Sequence, residues 1–162
     1  MSLLWPVLGF VALQRLAELA YALRNTARLL AAGGIESGRG HYPLLVMMHA
    51  AWWLALALLV PPDQPANLWL LGLFAILQGL RVWILLSLGE RWTTRIITLP
   101  GAPLIRSGPY RWLRHPNYLV VVAEIAVLPL AFGAWQIALV FSLLNGVLLA
   151  HRIRVENRAL AG

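Results

Sequence analysis

Apolar residues run through this chain in long blocks, with polar residues between the blocks and at a few isolated points inside them. A helix that crosses a bilayer needs about 20 mostly apolar residues. Five blocks approach or meet that length, at roughly 3–23, 43–60, 67–88, 117–133 and 134–150. The pattern predicts an all-α, polytopic membrane protein with five transmembrane helices in one domain spanning 1–162. The second block stops at Pro61-Pro62, and only Phe132, Gly133 and Ala134 divide the last two, which leaves room for a tight helical hairpin. No Arg/Lys stretch precedes the first block, so it reads as a retained helix rather than a cleaved signal peptide. The longest connection, 89–116, and a tail at 151–162 complete the layout, and no internal repeat is evident.

The connections set an orientation. Eleven of the thirteen basic residues, all arginines, fall in 24–42, 89–116 and the stretch after 150, and none falls in the turns at 61–66 and 131–136. By the positive-inside rule the N-terminus lies outside and the C-terminus is cytoplasmic. Trp5, Trp69 and Trp135 then mark the three outer helix ends, as an interfacial aromatic belt requires.

Composition sharpens this picture. Only 12% of residues are charged against 60% hydrophobic, where a soluble domain carries about 25% charged. Without cysteine, disulfides, thiolate metal sites and thiol nucleophiles are excluded, and no metal site is expected. The net charge of +7 does not point to nucleic acid, because the arginines border apolar spans and form no separate basic module. Anionic headgroups of membrane lipids, or anionic ligands, are the expected partners of those arginines. Arginine in place of lysine throughout favours fixed charge and bidentate grips on carboxylate or phosphate.

Polar residues within spans are costly and therefore informative. They are Gln14, Arg15 and Glu18 in the first helix, His49 in the second, Gln78 and Arg81 in the third, Glu124 in the fourth and Asn145 in the fifth. With alternating helix direction most fall in the cytoplasmic half, with Gln14 and Gln78 nearer the middle. Gln14, Glu18, Tyr21 and Asn25 share one helical face, and so do Asn145, Arg152 and Glu156 if the last helix continues past the membrane. Ion pairs that glue helices, such as Arg15 or Arg81 with Glu18 or Glu124, explain any one of them. Their clustering predicts a polar cavity open to the cytosol.

The segment Gly101 to Tyr118 is rich in proline and glycine, which argues for a shaped loop with one helical turn around Arg111–Arg114. Long ordered loops are usually functional. His115-Pro116 stands at a helix entrance, where proline suits the first turn and free backbone N–H groups can hold an anion. Gly38-Arg39-Gly40 is a lone GxG with no strand before it and carries little weight.

Arg114-His115-Pro116-Asn117-Tyr118 resembles the Arg-His-Pro-x-Tyr motif of the isoprenylcysteine carboxyl methyltransferase family of integral membrane methyltransferases. Arg152-Ile153-Arg154-Val155-Glu156-Asn157 with Leu160 is similar to that family's Arg-x-x-x-Glu-Glu-x-x-x-Leu ending. Gln14-Arg15-Leu16-Ala17-Glu18 and Gly40-His41-Tyr42-Pro43 resemble a short bacterial branch that methylates long-chain alkylpyrones. The resemblance implies S-adenosylmethionine held at the cytoplasmic face of a bacterial membrane by His115, Tyr118, Arg152 and Glu156, with Arg114 and Pro116 completing the motif. Arg152 would take the carboxylate, Glu156 the ribose hydroxyls or amino group, and Tyr118 and His115 the adenosine. Two positions depart from the family pattern: Val120 replaces a glycine and Asn157 replaces the second glutamate.

The acceptor implied is lipophilic, either a small molecule such as an alkylpyrone or a prenylated cysteine, entering from the bilayer. An ionised carboxylate or enol needs only an arginine to hold it, for which Arg81 and Arg15 are candidates. A phenol needs a base, for which Glu124 or His49 could serve. Membrane sterol or steroid reductases that use NADPH carry a similar Arg-His-x-x-Tyr element, but they add a Lys-Tyr-Gly element, and this chain has no lysine. A non-enzymatic scaffold or lipid-binding subunit is the alternative from another class. A transporter fits less well, since no inverted halves are evident. Gly72 and Gly79 are packing candidates without GxxxG spacing, and the oligomeric state stays open.

Overall fold

The computed structural model describes residues 3–161, with side chains as far as residue 159, so the side chain of Leu160 lies outside the described set. Five α-helices carry the architecture: α1 (Leu4–Ala31), α2 (Tyr42–Leu59), α3 (Leu68–Leu88), α4 (Pro116–Ala131) and α5 (Trp135–Ala161). All but α4 are long and apolar enough to cross a membrane. At 1.5 Å per residue the 16 residues of α4 reach about 24 Å, short of the roughly 30 Å hydrocarbon core.

Two helices outrun the lengths read from hydropathy. α1 continues from 23 to Ala31 because Arg24 to Ala31 contains good helix formers and meets no glycine before Gly33-Gly34. α5 likewise absorbs what the sequence offered as a tail, running unbroken to Ala161. Hydropathy windows register the end of the apolar block, whereas the backbone needs only permissive residues to continue. The extension keeps Asn145, Arg152 and Glu156 on one inward face, with Asn145 and Arg152 buried.

The remaining ends follow local chemistry. The Asn67 side chain caps α3, accepting from the Trp69 and Leu70 N–H groups at 3.0 and 3.2 Å. Pro116 occupies the first turn of α4. Gly133, with φ +69°, turns the chain between α4 and α5. In the segment Gly101 to Tyr118 the helical turn is a 3₁₀ turn at Gly108–Arg111, not Arg111–Arg114, and another 3₁₀ turn at Gly89–Arg91 opens the long connection.

The chain is not wholly helical. β1 (Ile35–Ser37) pairs antiparallel with β2 (Ile96–Thr98), Glu36 opposite Ile97. Three-residue strands are too short for alternation to reveal them. The Glu36 carboxylate is buried between Arg39 at 2.9 Å and Arg95 at 3.1 Å, and the Arg95 guanidinium lies 5.0 Å over the Tyr42 ring. Asn25 adds bonds to the carbonyls of Gly89 and Trp92 at 3.2 and 2.9 Å. These contacts bind the long connection to α1 and to the start of α2.

Packing divides the bundle into two halves. The apolar core fills the half around the α1, α3 and α5 starts, with Leu4, Leu8, Trp52, Leu56, Phe74, Ile125 and Leu128 among its members. Indole donors pin helices there: Trp52 Nε1 to the Ile125 carbonyl at 3.2 Å and Trp53 Nε1 to the Leu8 carbonyl at 3.0 Å. The other half holds the polar residues. A Cβ at Gly72 or Gly79 would meet nothing within 4 Å, so neither mediates packing inside the bundle.

Candidate active site

The intramembrane polar residues form one network. Arg81 of α3 grips Glu18 of α1 through Nε to Oε1 and Nη2 to Oε2, both at 2.6 Å. Arg15 reaches Glu18 Oε2 at 2.9 Å and Glu124 Oε2 at 2.7 Å. Arg81 Nη1 also lies 3.3 Å from Glu124 Oε2. Gln14 donates to Glu18 at 3.0 Å, and Gln78 donates to Glu124 at 2.8 Å. Two guanidiniums and two carboxylates thus neutralise one another across three helices. In a low-dielectric interior this is how charge is tolerated. Glu124, only 1% exposed, has both oxygens engaged and does not line the cavity beside it.

A second cluster joins the start of α4 to the inner half of α5. The Tyr118 hydroxyl donates to Glu156 and accepts from Arg152 Nε at 2.8 Å. Arg152 Nη2 donates to the Thr94 carbonyl at 2.8 Å. The His115 ring stacks on Tyr118 at 5.2 Å between centroids; His115 Nδ1 is 3.8 Å from Glu156, and Nε2 is 3.4 Å from Asn157 Oδ1. Asn157 therefore meets an imidazole at the departing position. Val120 is buried with Leu77 and Ile84, so its side chain fills an inter-helix space where glycine would leave a gap. Tyr110, in the 3₁₀ turn, has its phenol pKa pushed up, chiefly by burial and secondarily by the Glu156 charge.

One cavity of about 510 Å³ touches both clusters. That volume is within the range of small-molecule sites, roughly 300–1,000 Å³. Arg15, Glu18, His49 and Arg81 face it from one side, Tyr118 and Arg152 from the other. Its wall also includes Leu16 of α1 and Val46 and Leu54 of α2, which are exposed on the outer surface. α1 and α2 touch only sparsely, and the cavity opens through that seam.

Of the residues singled out by sequence, His115 and Glu156 stand behind Tyr118 and Arg152, outside the cavity wall. Pro116 is buried in the first turn of α4. Arg114 is exposed and away from the cavity. The sequence reading missed Tyr42, Trp92, Thr93, Thr94 and Asn117 as cavity residues. Asn117 occupies the variable position of the motif, and the others lie in or beside connections with no periodic signal.

Four helices long and apolar enough to cross a bilayer, around a mostly apolar cavity with polar groups at two places on its wall, mark an integral membrane protein. The chain belongs to the isoprenylcysteine carboxyl methyltransferase family, whose sequence profile matches residues 70–162. It is 41% identical over 161 residues to the uncharacterized protein YpbQ of Bacillus subtilis (strain 168), covering 96% of this chain and 95% of that protein. An uncharacterized protein of Haemophilus influenzae is 29% identical over 153 residues, covering 91% and 88%. No solved structure matches the chain. The family match includes Arg81, Glu124 and the whole second cluster, whereas Arg15, Glu18 and His49 precede it.

Proposed function

We propose that this protein is an S-adenosylmethionine-dependent O-methyltransferase whose acceptor is a lipophilic molecule with an oxygen nucleophile. The observation that carries this reading is one cavity that touches both polar clusters and is open to the lipid side between α1 and α2. Bound there, S-adenosylmethionine supplies a methyl group on positively charged sulfur. The residues present fit it: Arg152 suits the carboxylate, and Tyr118 offers an aromatic face. Asn117 and Asn145 each bring a buried side-chain oxygen without a partner to the same wall. Glu156 and His115 hold Tyr118 in place from behind, and Tyr118 in turn accepts from Arg152.

The chain's own task is to align the acceptor oxygen and exclude water. Arg15, the more exposed of the two network arginines, is positioned to orient that oxygen, and Arg81 fixes Glu18 beneath it. The acceptor's tail lies along the α1–α2 seam, which suits an alkylpyrone, a phenolic lipid or a prenylated cysteine. The reading includes five spans with a short, locally accommodated α4, the N-terminus outside and the cavity on the cytoplasmic side of a bacterial inner membrane. It is supported by the gathering of arginines at one end and by the exposed Trp5, Trp69 and Trp135 at the other. Arg106, Arg111 and Arg114, exposed and without carboxylate partners among the described residues, suit anionic headgroups there.

The test is transfer of a labelled methyl group from S-adenosylmethionine to lipid-extractable product in membranes containing the protein. Stabilisation against heat by S-adenosylhomocysteine and not by NADPH is expected. Stabilisation by NADPH alone would overturn the reading in favour of a reductase.

A further inference from the structure

His49 sits on α2, in the part of the chain that precedes the family match, and no contact of the ion network uses it. Its Nδ1 is 2.8 Å from the Leu45 carbonyl oxygen. A carbonyl only accepts, so Nδ1 carries the proton and Nε2 of the neutral ring keeps a free lone pair. The residue lines the cavity.

Every other basic group near this end of the cavity is already engaged. Glu18 receives four donors on its two oxygens, from Gln14, Arg15 and Arg81. Glu124 receives three, from Arg15, Arg81 and Gln78, and is absent from the wall. Nor is a cation left over: the two guanidiniums are matched by the two carboxylates. A carboxylate acceptor would need a guanidinium that Glu18 and Glu124 already hold. A neutral hydroxyl would not, but it must lose a proton to react.

We infer that His49 Nε2 is the proton acceptor of the reaction, and that the site is built for an acceptor arriving as a neutral hydroxyl. This inference rests on the methyltransferase reading above. The acceptor O–H bond breaks toward Nε2, giving an imidazolium, while the oxygen forms its bond to the methyl carbon. The C–S bond pair stays on sulfur, which leaves as a neutral thioether. The positive charge thus passes from sulfur to the ring, where Glu18 and Glu124 are nearby anions. The charged groups facing His49 are Arg15 and Glu18 of α1, Arg81 of α3 and Glu124 of α4.

The test compares the wild type with His49→Asn, whose side-chain amide can keep the bond to the Leu45 carbonyl but offers no base. The probes are a long-chain 4-alkylphenol and its 2-nitro counterpart, which ionises near neutral pH unaided. On the plain phenol, kcat should fall about a hundredfold or more; on the nitrophenol it should fall less than about fivefold. A readout without methyl donor is the colour of bound nitrophenol. The fraction held as yellow phenolate at a fixed pH just below its solution midpoint should drop several-fold in His49→Asn. Equal losses on both probes, or no loss on the phenol, would overturn the role of His49. So would a wild type that methylates the nitrophenol alone, although the methyltransferase reading would then survive. A wild type that methylates neither and gains no stability from S-adenosylhomocysteine overturns both.

Discussion

Arg81 and Glu18 face each other across the bundle in a two-bond fork, with both N···O distances at 2.6 Å. The fork joins α1 to α3 between two side chains that are both buried. Removing one partner leaves the other charged and buried, at a cost of about 3–5 kcal/mol. Glu18→Ala should therefore lower the thermal midpoint of the detergent-solubilised protein sharply. The double substitution Glu18→Leu/Arg81→Met should recover much of that loss, though not activity.

Arg152 is tied on one side to the Tyr118 hydroxyl and on the other to the Thr94 carbonyl. Arg152→Ala should weaken S-adenosylhomocysteine binding at least tenfold by calorimetry. Tyr118→Phe should weaken it less, since the ring stays while its bonds to Arg152 and Glu156 go. Equal binding in Arg152→Ala and wild type would remove Arg152 from the cofactor site.

Ala12 of α1 and Ala50 of α2 face the cavity beside the seam. Ala12→Trp or Ala50→Trp should raise KM for long-chain acceptors by about an order of magnitude while leaving S-adenosylhomocysteine binding unchanged. A matched loss of cofactor binding would show that the seam is no separate tail site.

Gly38 has φ +67°, and a Cβ there would lie 2.2 Å from His41 Cε1. Left-handed backbone costs a side-chain-bearing residue roughly 1–2 kcal/mol before any clash. Gly38→Ala should lower the melting midpoint, whereas Gly40→Ala, whose Cβ would meet nothing within 4 Å, should not.

Because the chain contains no cysteine, its orientation can be read with single labels. Asp63→Cys should react with a membrane-impermeant maleimide on intact cells, and Arg106→Cys only after permeabilisation. The reverse pattern would invert the topology.

Most of the helical layout was legible because a bilayer imposes a length on apolar blocks that hydropathy reports directly. What escaped was decided by other forces. The continuation of α1 to Ala31 depends on permissive polar residues. The β1–β2 pairing depends on two tripeptides some sixty positions apart, which no local pattern connects. For the site, the pairing of Arg15 and Arg81 with Glu18 and Glu124 could be guessed from the rule that buried charges need partners. That Glu124 is fully occupied while His49 is not could not be guessed, because it turns on which oxygen each donor reaches. Tyr118, Arg152 and Glu156 were found through motif resemblance. Asn117 and Thr94, without a distinctive spacing, emerged only in three dimensions.

The charge network also orders the birth of the protein. As the chain emerges, α1 and α3 deliver two guanidiniums with a single carboxylate between them. Glu124 restores balance only when α4 arrives, and α4 is the shortest helix, joined to α5 by the turn at Gly133. The carboxylate that completes the network thus comes with the last two helices, which pack on each other. Until they arrive, Arg15 and Arg81 have one carboxylate, Glu18, to share.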